Sequence, residues 1–205
     1  MEKPVRKRGR PPALDRDVGL DIAARLFWER GYEGTSTADL TKAMRINPPT
    51  LYSMFGSKEE LYGQALDFSI ARENSRRLEV LQSNLPVYEA LTRYLYDIAD
   101  GDTQPDKPRG CMVSTAVLQH AEENASVARM TAALREASMQ TLKARFDRAV
   151  EEGELPMKTD TDTLARFYGA VIQGMSAQAC DGACNARLKR LIDLALTAWP
   201  GKRST

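Results

Sequence analysis

Apolar residues recur three and four positions apart through most of the chain, which is the spacing of one helix face. No stretch shows the strict alternation of a half-buried strand, and there is no internal repeat. These stretches, with the Gly and Pro residues between them, predict nine helices: one ending at Gly31, then 36–44, 47–55, 58–82, one opening at Pro86 before a loop at 101–108, then 109–121, a long helix ending near Glu152, then 160–179 and 185–198. The fold class is therefore all-α, with a helical bundle following the short helices.

Two short helices lie close together within residues 31–62. Ser36 and Asp39 fit a capping box, in which each side chain bonds the backbone of the other residue. Asn47 is a good N-cap, and the two prolines after it suit the first turn of a helix. Two short helices joined by three or four residues predict a helix-turn-helix, whose second helix enters the major groove of double-stranded DNA.

The predicted DNA contacts divide into base contacts and phosphate contacts. At the start of the second helix, hydroxyl groups could bond base edges, and proline rings could pack on a thymine methyl. Phosphate contacts set the register of the protein on DNA without reading its sequence. The candidates for bases are Asn47, Pro48, Pro49, Thr50 and Ser53, and those for phosphate are Ser36, Thr37, Tyr52 and Lys58.

Residues 1–13 form a basic arm that we expect to be disordered when free, since five cations and no acid occur in residues 3–12. One interpretation is a solvated tail. The favoured one is an arm in the minor groove, because Arg8 and Arg10 flank a glycine as in an AT-hook, and a narrow A·T-rich groove attracts arginines. No apolar segment follows as a signal peptide would require.

Residues 14–62 resemble the DNA-binding domain of the TetR family of bacterial repressors. The matching residues are Phe27, Gly31, Tyr32, Thr35, Ser36, Asp39, Leu40, Ala43, Ile46, Asn47, Leu51, Tyr52, Phe55, Ser57, Lys58, Glu59 and Leu61. The chain departs from the family at Pro49, where Gly or a small residue is common, and at Met54, where a phosphate-binding His is common. The resemblance implies a helix-turn-helix domain at 14–57 and a ligand-binding and dimerisation domain at 58–200.

The resemblance also implies a homodimer whose last two helices pair with those of a second copy. The geometry of DNA recognition also favours a homodimer, since one helix-turn-helix contacts few base pairs and two can read paired half-sites. Four small residues of the predicted helix at 160–179 would allow close helix approach: Gly169, Ala170, Gly174 and Ala177. The predicted interface residues are Phe167, Val171, Gly174, Met175, Leu188, Leu191, Ile192, Ala195 and Leu196.

Composition changes this picture only in its charge distribution. The formal net charge is +1, but residues up to Lys58 hold 11 basic and 7 acidic residues, and the remainder holds 18 and 21. We call residues up to Lys58 the reader and the remainder the body. A weakly basic reader joined to a mildly acidic body favours one orientation on DNA. Three cysteines favour a reducing cytoplasm over a disulfide scaffold, and no apolar run is long enough to span a membrane. A DNA-binding protein of the cytoplasm is expected to be associated with the nucleoid.

The family's usual role for the body is to bind a small-molecule effector. Aromatic, apolar and Met side chains with a few polar groups are typical of such a pocket, although each could simply belong to the core. The candidate lining residues are Phe68, Arg72, Tyr94, Ile98, Cys111, Met112, Leu118, Phe146, Tyr168 and Ile172.

Cys111 is the sharpest of these candidates, because it is expected in the first turn of a helix beside Arg109. A helix N-terminus and a cation both lower the pKa of a thiol, which would suit an electrophile, an oxidant or a soft metal. The Arg-Gly-Cys start of this sixth helix also resembles a TetR branch with thiol-based sensors. The alternative is a buried small hydrophobe. Cys180 and Cys184 could in principle form a metal site with His120, but Gly182 between the two cysteines breaks the helix and disfavours a shared face. No metal or cofactor is therefore predicted.

The favoured function is a ligand-responsive repressor that binds a near-palindromic operator as a dimer, with the long helix at 58–82 transmitting the signal. An enzyme is disfavoured: there is one His, no nucleophile elbow, no phosphate-binding Gly loop and no paired carboxylates at metal spacing. The alternative is an architectural DNA-binding protein without an inducer, which would bind any sequence with strong salt dependence.

Overall fold

The fold comes from a computed structural model that describes residues 14–116, 118 and 120–201. Within these ranges there is no strand, and the all-α prediction is confirmed. The helices are α1 Arg16–Arg30, α2 Thr37–Met44, α3 Pro48–Phe55, α4 Lys58–Gln82, α5 Val87–Asp102, α6 Ala125–Glu151, α7 Thr161–Cys180 and α8 Asn185–Leu196, with a short 3₁₀ helix at Glu122–Asn124. The predicted basic arm, with Arg8 and Arg10, lies outside the described residues. Every helix in these ranges is too short or too polar to cross a bilayer.

The first three helices share one core with the start of α4. Phe27, Leu40 and Leu51 are buried from α1, α2 and α3, and the rings of Tyr32 and Tyr62 pack 5.1 Å apart across the junction to α4. Met112 and Val127 close the same cluster from the body. The reader is thus packed directly onto the body. The predicted boundary after residue 57 stays a prediction.

The second core fills the space between α5, α6, α7 and α8. Phe146, Tyr168 and Trp199 meet ring to ring at its centre, with Phe146 5.7 Å from Trp199. Leu95 of α5 and Ile192 of α8 are fully buried beside them. This core fixes the end of the body that lies away from the reader.

The junction between α4 and α5 is held by side chains of α6 and the loop after it. Arg145 donates through Nε to the Leu81 carbonyl at 3.0 Å and through Nη2 to the Leu85 carbonyl at 2.9 Å. Arg148 donates to the carbonyls at positions 82 and 83. Pro86 precedes α5 as predicted and offers no side-chain cap, and Glu154 accepts from the Val87 amide at 2.6 Å instead.

The predicted helix over 109–121 is wrong for the described residues, which form turns from 112 to 116. Gly110 has φ +75°, which ends any helical path into Cys111. One helix-type bond does form, from the Thr115 amide to the Cys111 carbonyl at 3.2 Å. Arg135 of α6 donates to the carbonyls of Val113 and Ala116, which a continuing helix would use, and this competition disfavours a longer helix.

Candidate functional site

The turn between α2 and α3 has the geometry that the sequence predicted. Ser36 and Asp39 form the capping box, and the backbone link to α3 covers residues 45–47. Arg45 ends α2 with φ 55° in the left-handed region, so the chain turns sharply before Asn47. The Asn47 side chain then accepts from the Thr50 amide at 2.9 Å and starts α3.

One face of α3 is buried and its first turn is open. Leu51 and Phe55 are buried in the reader core, whereas Tyr52 is 51% exposed. The other exposed candidates on this helix and its cap are Asn47, Pro48, Pro49 and Ser53. Thr50 is half-buried, and its hydroxyl donates to the Asn47 side-chain oxygen at 2.7 Å. The Thr50 hydroxyl is therefore left with acceptor capacity toward an outside group.

The remaining predicted contacts lie at the edges of this helix pair. The Ser36 hydroxyl is committed to the capping box, and Thr37 is half-buried at the first position of α2. Lys58 has its ammonium 4.2 Å above the Tyr32 ring centroid, and desolvation lowers the pKa of Lys58. The Tyr32 ring therefore holds the Lys58 ammonium in place through a cation–π interaction, and Lys58 would contact a phosphate from that position.

Sequence reasoning missed two exposed cations at the same turn, Lys42 and Arg45. Their signal was available, since both are basic and lie within five residues of the predicted N-cap Asn47. They place positive charge beside the open end of α3, where phosphate contacts are useful.

A cavity of about 230 Å³ lies within the body, between α4, α5, α6, α7 and the irregular segment after α5. Five of the predicted effector residues line it: Tyr94, Ile98, Cys111, Met112 and Ile172. Other lining residues that the sequence did not single out include Trp28, Arg77, Asp102, Arg135, Met139, Leu142 and Gln173. A partly apolar cavity with a few polar groups is typical of a small-molecule site.

The other five predicted effector residues lie elsewhere. Phe68 and Arg72 line a separate cleft of about 40 Å³ against α1. Phe146 and Tyr168 are fully buried in the second core, and Leu118 is 67% exposed. Helical spacing shows which residues are apolar, but a core position and a cavity wall have the same pattern.

The polar end of the cavity is built around Asp102, the last residue of α5. Its side chain is almost fully buried and accepts from the Ser176 hydroxyl at 2.6 Å. Burial raises the pKa of Asp102 to about 6 and that of Tyr94 to about 12. The Tyr94 phenol is therefore neutral near pH 7, while most Asp102 side chains are ionised.

Cys111 lines the cavity, but the reason given for its reactivity is wrong. It does not lie in the first turn of a helix, and Arg109 donates to the carbonyls of residues 179 and 183. Burial instead raises the pKa of the Cys111 thiol. Backbone hydrogen bonding at the start of α8, chiefly from the Arg187 amide, lowers the pKa of the exposed Cys184.

These differences predict an order of alkylation by iodoacetamide at pH 7. Cys184 should react first and Cys111 last, because the thiolate is the attacking species. Cys184 is exposed and has a lowered pKa, whereas Cys111 is half-buried and has a raised pKa. Peptide mass spectrometry at timed intervals measures the three rates. Labelling of Cys111 ahead of Cys184 would contradict this order and would identify a reactive sensor thiol.

The predicted interface residues on α7 and α8 divide by exposure. Met175, Leu188, Ile192, Ala195 and Leu196 are buried within the chain's own core. Phe167 faces outward, Val171, Gly174 and Leu191 are half-buried, and a side chain built on Gly174 would meet nothing. Leu194, which the sequence reasoning missed, is 70% exposed. Amphipathic spacing did not show which apolar face of α8 turns inward.

Comparison with known proteins gives a match in each part of the chain. Residues 20–65 match the model of bacterial regulatory proteins of the tetR family, and residues 88–194 match a tetracyclin repressor-like C-terminal domain. The transcriptional repressor ComR of Escherichia coli K12 is 34% identical over 95% of this chain and 93% of its own length. The repressor BdcR of the same organism is 28% identical over 88% and 87%.

One solved structure is similar over nearly the whole chain. It holds a cysteine mutant of the TetR family transcriptional regulator CifR, complexed with a 26-base-pair operator DNA. The two chains are 39% identical with a TM-score of 0.90, over 94% of this chain and 100% of that one.

Proposed function

The chain belongs to the TetR family of bacterial transcriptional regulators, and from this premise we propose that it represses its target genes as a homodimer on a near-palindromic operator and leaves DNA when an effector fills the body cavity. The observation that carries the proposal is the open first turn of α3, with its opposite face anchored by Leu51 and Phe55. The similar regulator CifR has been solved with operator DNA, which supports the same partner for this chain. Its role is regulatory rather than catalytic, in the cytoplasm near the nucleoid.

The DNA contacts of the proposal follow from exposure and donor capacity. Pro48, Pro49 and Ser53 face outward for bases, and the Thr50 hydroxyl accepts from a base amino group. Tyr52 and Lys58 contact phosphates, together with Lys42 and Arg45. The minor-groove role of Arg8 and Arg10 stays a prediction from the sequence alone.

The dimer of the proposal uses the outward faces of α7 and α8. Phe167 and Leu194 are exposed apolar side chains on these helices, and Ala170, Gly174 and Ala177 let a neighbouring helix come close. The buried members of the predicted set support this surface from behind.

Two routes connect the cavity with the reader. The first is α4, which begins at the reader core and lines the cavity with Glu73 and Arg77. The second is the connection between α5 and α6, in which the sequence reasoning took residues 109–121 for a helix. The Trp28 indole donates to the Arg109 carbonyl at 3.2 Å, and Glu33 accepts from the Asn124 side chain at 2.7 Å. An effector that displaces this segment therefore also displaces α1 and the loop after it.

Selection of genomic DNA fragments with the purified protein, followed by footprinting, tests the proposal. We expect a short near-palindrome with protected half-sites about one helical turn or more apart. Binding without sequence preference and with strong salt dependence would favour the architectural alternative instead.

Two substitutions in α3 are expected to differ in kind. Thr50→Val should cost about 1–3 kcal/mol at one base position of each half-site, because it removes the accepting hydroxyl and keeps the side-chain shape. Tyr52→Phe should weaken all sites about equally, since it removes a phosphate contact. Competition binding against a library of operator variants measures both effects. Equal losses on operator and random DNA for Thr50→Val would contradict the assignment.

A further inference from the structure

Most of the charge that faces the cavity is already neutralised or committed. On α4, Arg77 Nε lies 2.9 Å from a carboxylate oxygen of Asp97, and Glu73 lies 2.6 Å from the Lys107 ammonium. On α6, Arg135 donates to two main-chain carbonyls beside the cavity. Arg77 and Glu73 are therefore ion-paired, and Arg135 has hydrogen-bond acceptors for its guanidinium.

Of the two acidic side chains that face the cavity, Glu73 is ion-paired and Asp102 has no ion pair among the described residues. It is 2% exposed, and its hydrogen bond within the described residues comes from the neutral hydroxyl of Ser176. Arg77 acts on it only as a nearby charge that favours ionisation. A buried carboxylate without a paired cation is costly, and a cation delivered by a ligand would offset that cost.

The rest of the cavity suits a ligand that is polar at one end only. The Tyr94 hydroxyl lines the wall and has no hydrogen-bond partner among the described residues, so it is free to bond a ligand. Met139, Leu142 and Ile172 supply apolar wall. At about 230 Å³ the cavity is smaller than the ~300 Å³ at which drug-sized sites begin, which favours a compact ligand.

We propose that the cavity binds a small organic cation, an ammonium group on a short apolar body, whose charge pairs with the Asp102 carboxylate. The Tyr94 hydroxyl accepts a second hydrogen bond from the same group, and the apolar body packs against Leu142 and Ile172. This inference rests on the proposed function, because it names the chemical class of the effector.

Calorimetric titration with three probes of matched shape tests the charge requirement: 3-phenylpropylamine, 3-phenylpropan-1-ol and 3-phenylpropanoate. At pH 7.5 we expect the amine to bind at least about ten-fold tighter than the alcohol and the carboxylate to bind weakest, since only the amine forms a charge-assisted hydrogen bond with Asp102. Asp102→Asn should abolish this preference. Asp100→Asn is the matched control, because Asp100 pairs with Lys189 on the outside of α5 and does not line the cavity.

A pH series on the unaltered protein provides a second measurement, which stands even if Asp102→Asn fails to fold. Amine affinity relative to the alcohol should fall several-fold as the pH drops through about 6, because Asp102 takes up a proton. The other ionisable groups that face the cavity are Glu73 and Arg77 on α4, Tyr94 on α5, Cys111 in the irregular segment and Arg135 on α6; α1 and α7 present Trp28 and Gln173. The same pH series on Asp102→Asn measures how much these other groups contribute to the pH dependence of amine affinity.

Three outcomes overturn the inference: no amine binding at millimolar concentration, binding of the carboxylate as tight as that of the amine, or an amine preference that survives Asp102→Asn or shows no fall with pH. Operator binding without any probe is measured on the same preparation. A protein that binds its operator and ignores the amine overturns the ligand class alone, whereas a protein without a near-palindromic site overturns the proposed function.

Discussion

Arg145→Met is expected to lower the free energy of unfolding by about 3–5 kcal/mol, the usual loss when one partner of a buried charged network is removed. The Arg145 guanidinium is almost fully buried and bonds two main-chain carbonyls at the end of α4. Met fills similar space but removes the guanidinium donor from those carbonyls and the cation that lies 3.5 Å from Glu154 Oε1. Urea unfolding of the unaltered protein and of the variant measures this difference. Both are measured at the same protein concentration, since the stability of a dimer depends on concentration.

Arg148→Met is the matched control for this prediction. Arg148 lies one turn further along α6 and bonds the next two carbonyls, but its side chain is 34% exposed. Water can replace its hydrogen bonds, so a loss of only about 1 kcal/mol is expected. Equal losses for the two variants would show that burial of Arg145 does not decide its contribution.

Gly110→Ala is expected to lower the free energy of unfolding by about 2–6 kcal/mol, from left-handed strain and from a steric clash together. Gly110 has φ +75°, and a Cβ there would lie 2.7 Å from the Ser176 carbonyl oxygen and 2.6 Å from the Cys180 sulfur. The carbonyl belongs to the backbone of α7 and has no alternative rotamer. The cavity segment, with Cys111, must therefore move away from α7.

Gly153→Ala separates the two causes. Gly153 has almost the same φ, +76°, but a Cβ there meets nothing within 4 Å. It should show the strain alone, about 1–3 kcal/mol. Both variants lose the same chain entropy of glycine in the unfolded state, so their difference reports the clash. If urea unfolding gave the same loss of unfolding free energy for Gly110→Ala and Gly153→Ala, the segment after α5 would move away from α7 without a measurable loss of stability.

Local signals were sufficient for the reader. The capping residues Ser36 and Asn47 start α2 and α3 as predicted, because a cap depends on atoms only two or three residues away. Ser57 caps α4 in the same way. Gly56 and Gly182, which both have positive φ, follow α3 and α7 where the predicted helices end. Periodicity also gave the extents of the long helices α4 and α6 to within a few residues.

Local signals failed where distant groups compete for the backbone. Residues 109–121 have an acceptable helical composition, but Arg135 from α6 takes the Val113 and Ala116 carbonyls and the close packing of Gly110 on α7 fixes the bend. The pKa argument for Cys111 failed with it, since it assumed a helix N-terminus. The thiol's burial depends on helices that are far away in the sequence.

The sequence by itself therefore determined the class of this protein: an all-α regulator with a capped helix-turn-helix and an amphipathic body. Only the tertiary structure decided which side chains enclose the cavity and which apolar residues of α7 and α8 stay outside. It also decided that Asp102 is buried and, within the described part of the chain, has a hydroxyl rather than a cation as its hydrogen-bond partner. The physical reason is that capping and periodicity act within one or two turns of a helix. Burial and electrostatic pairing are sums over all neighbours in space, and the order of residues along the chain does not specify them.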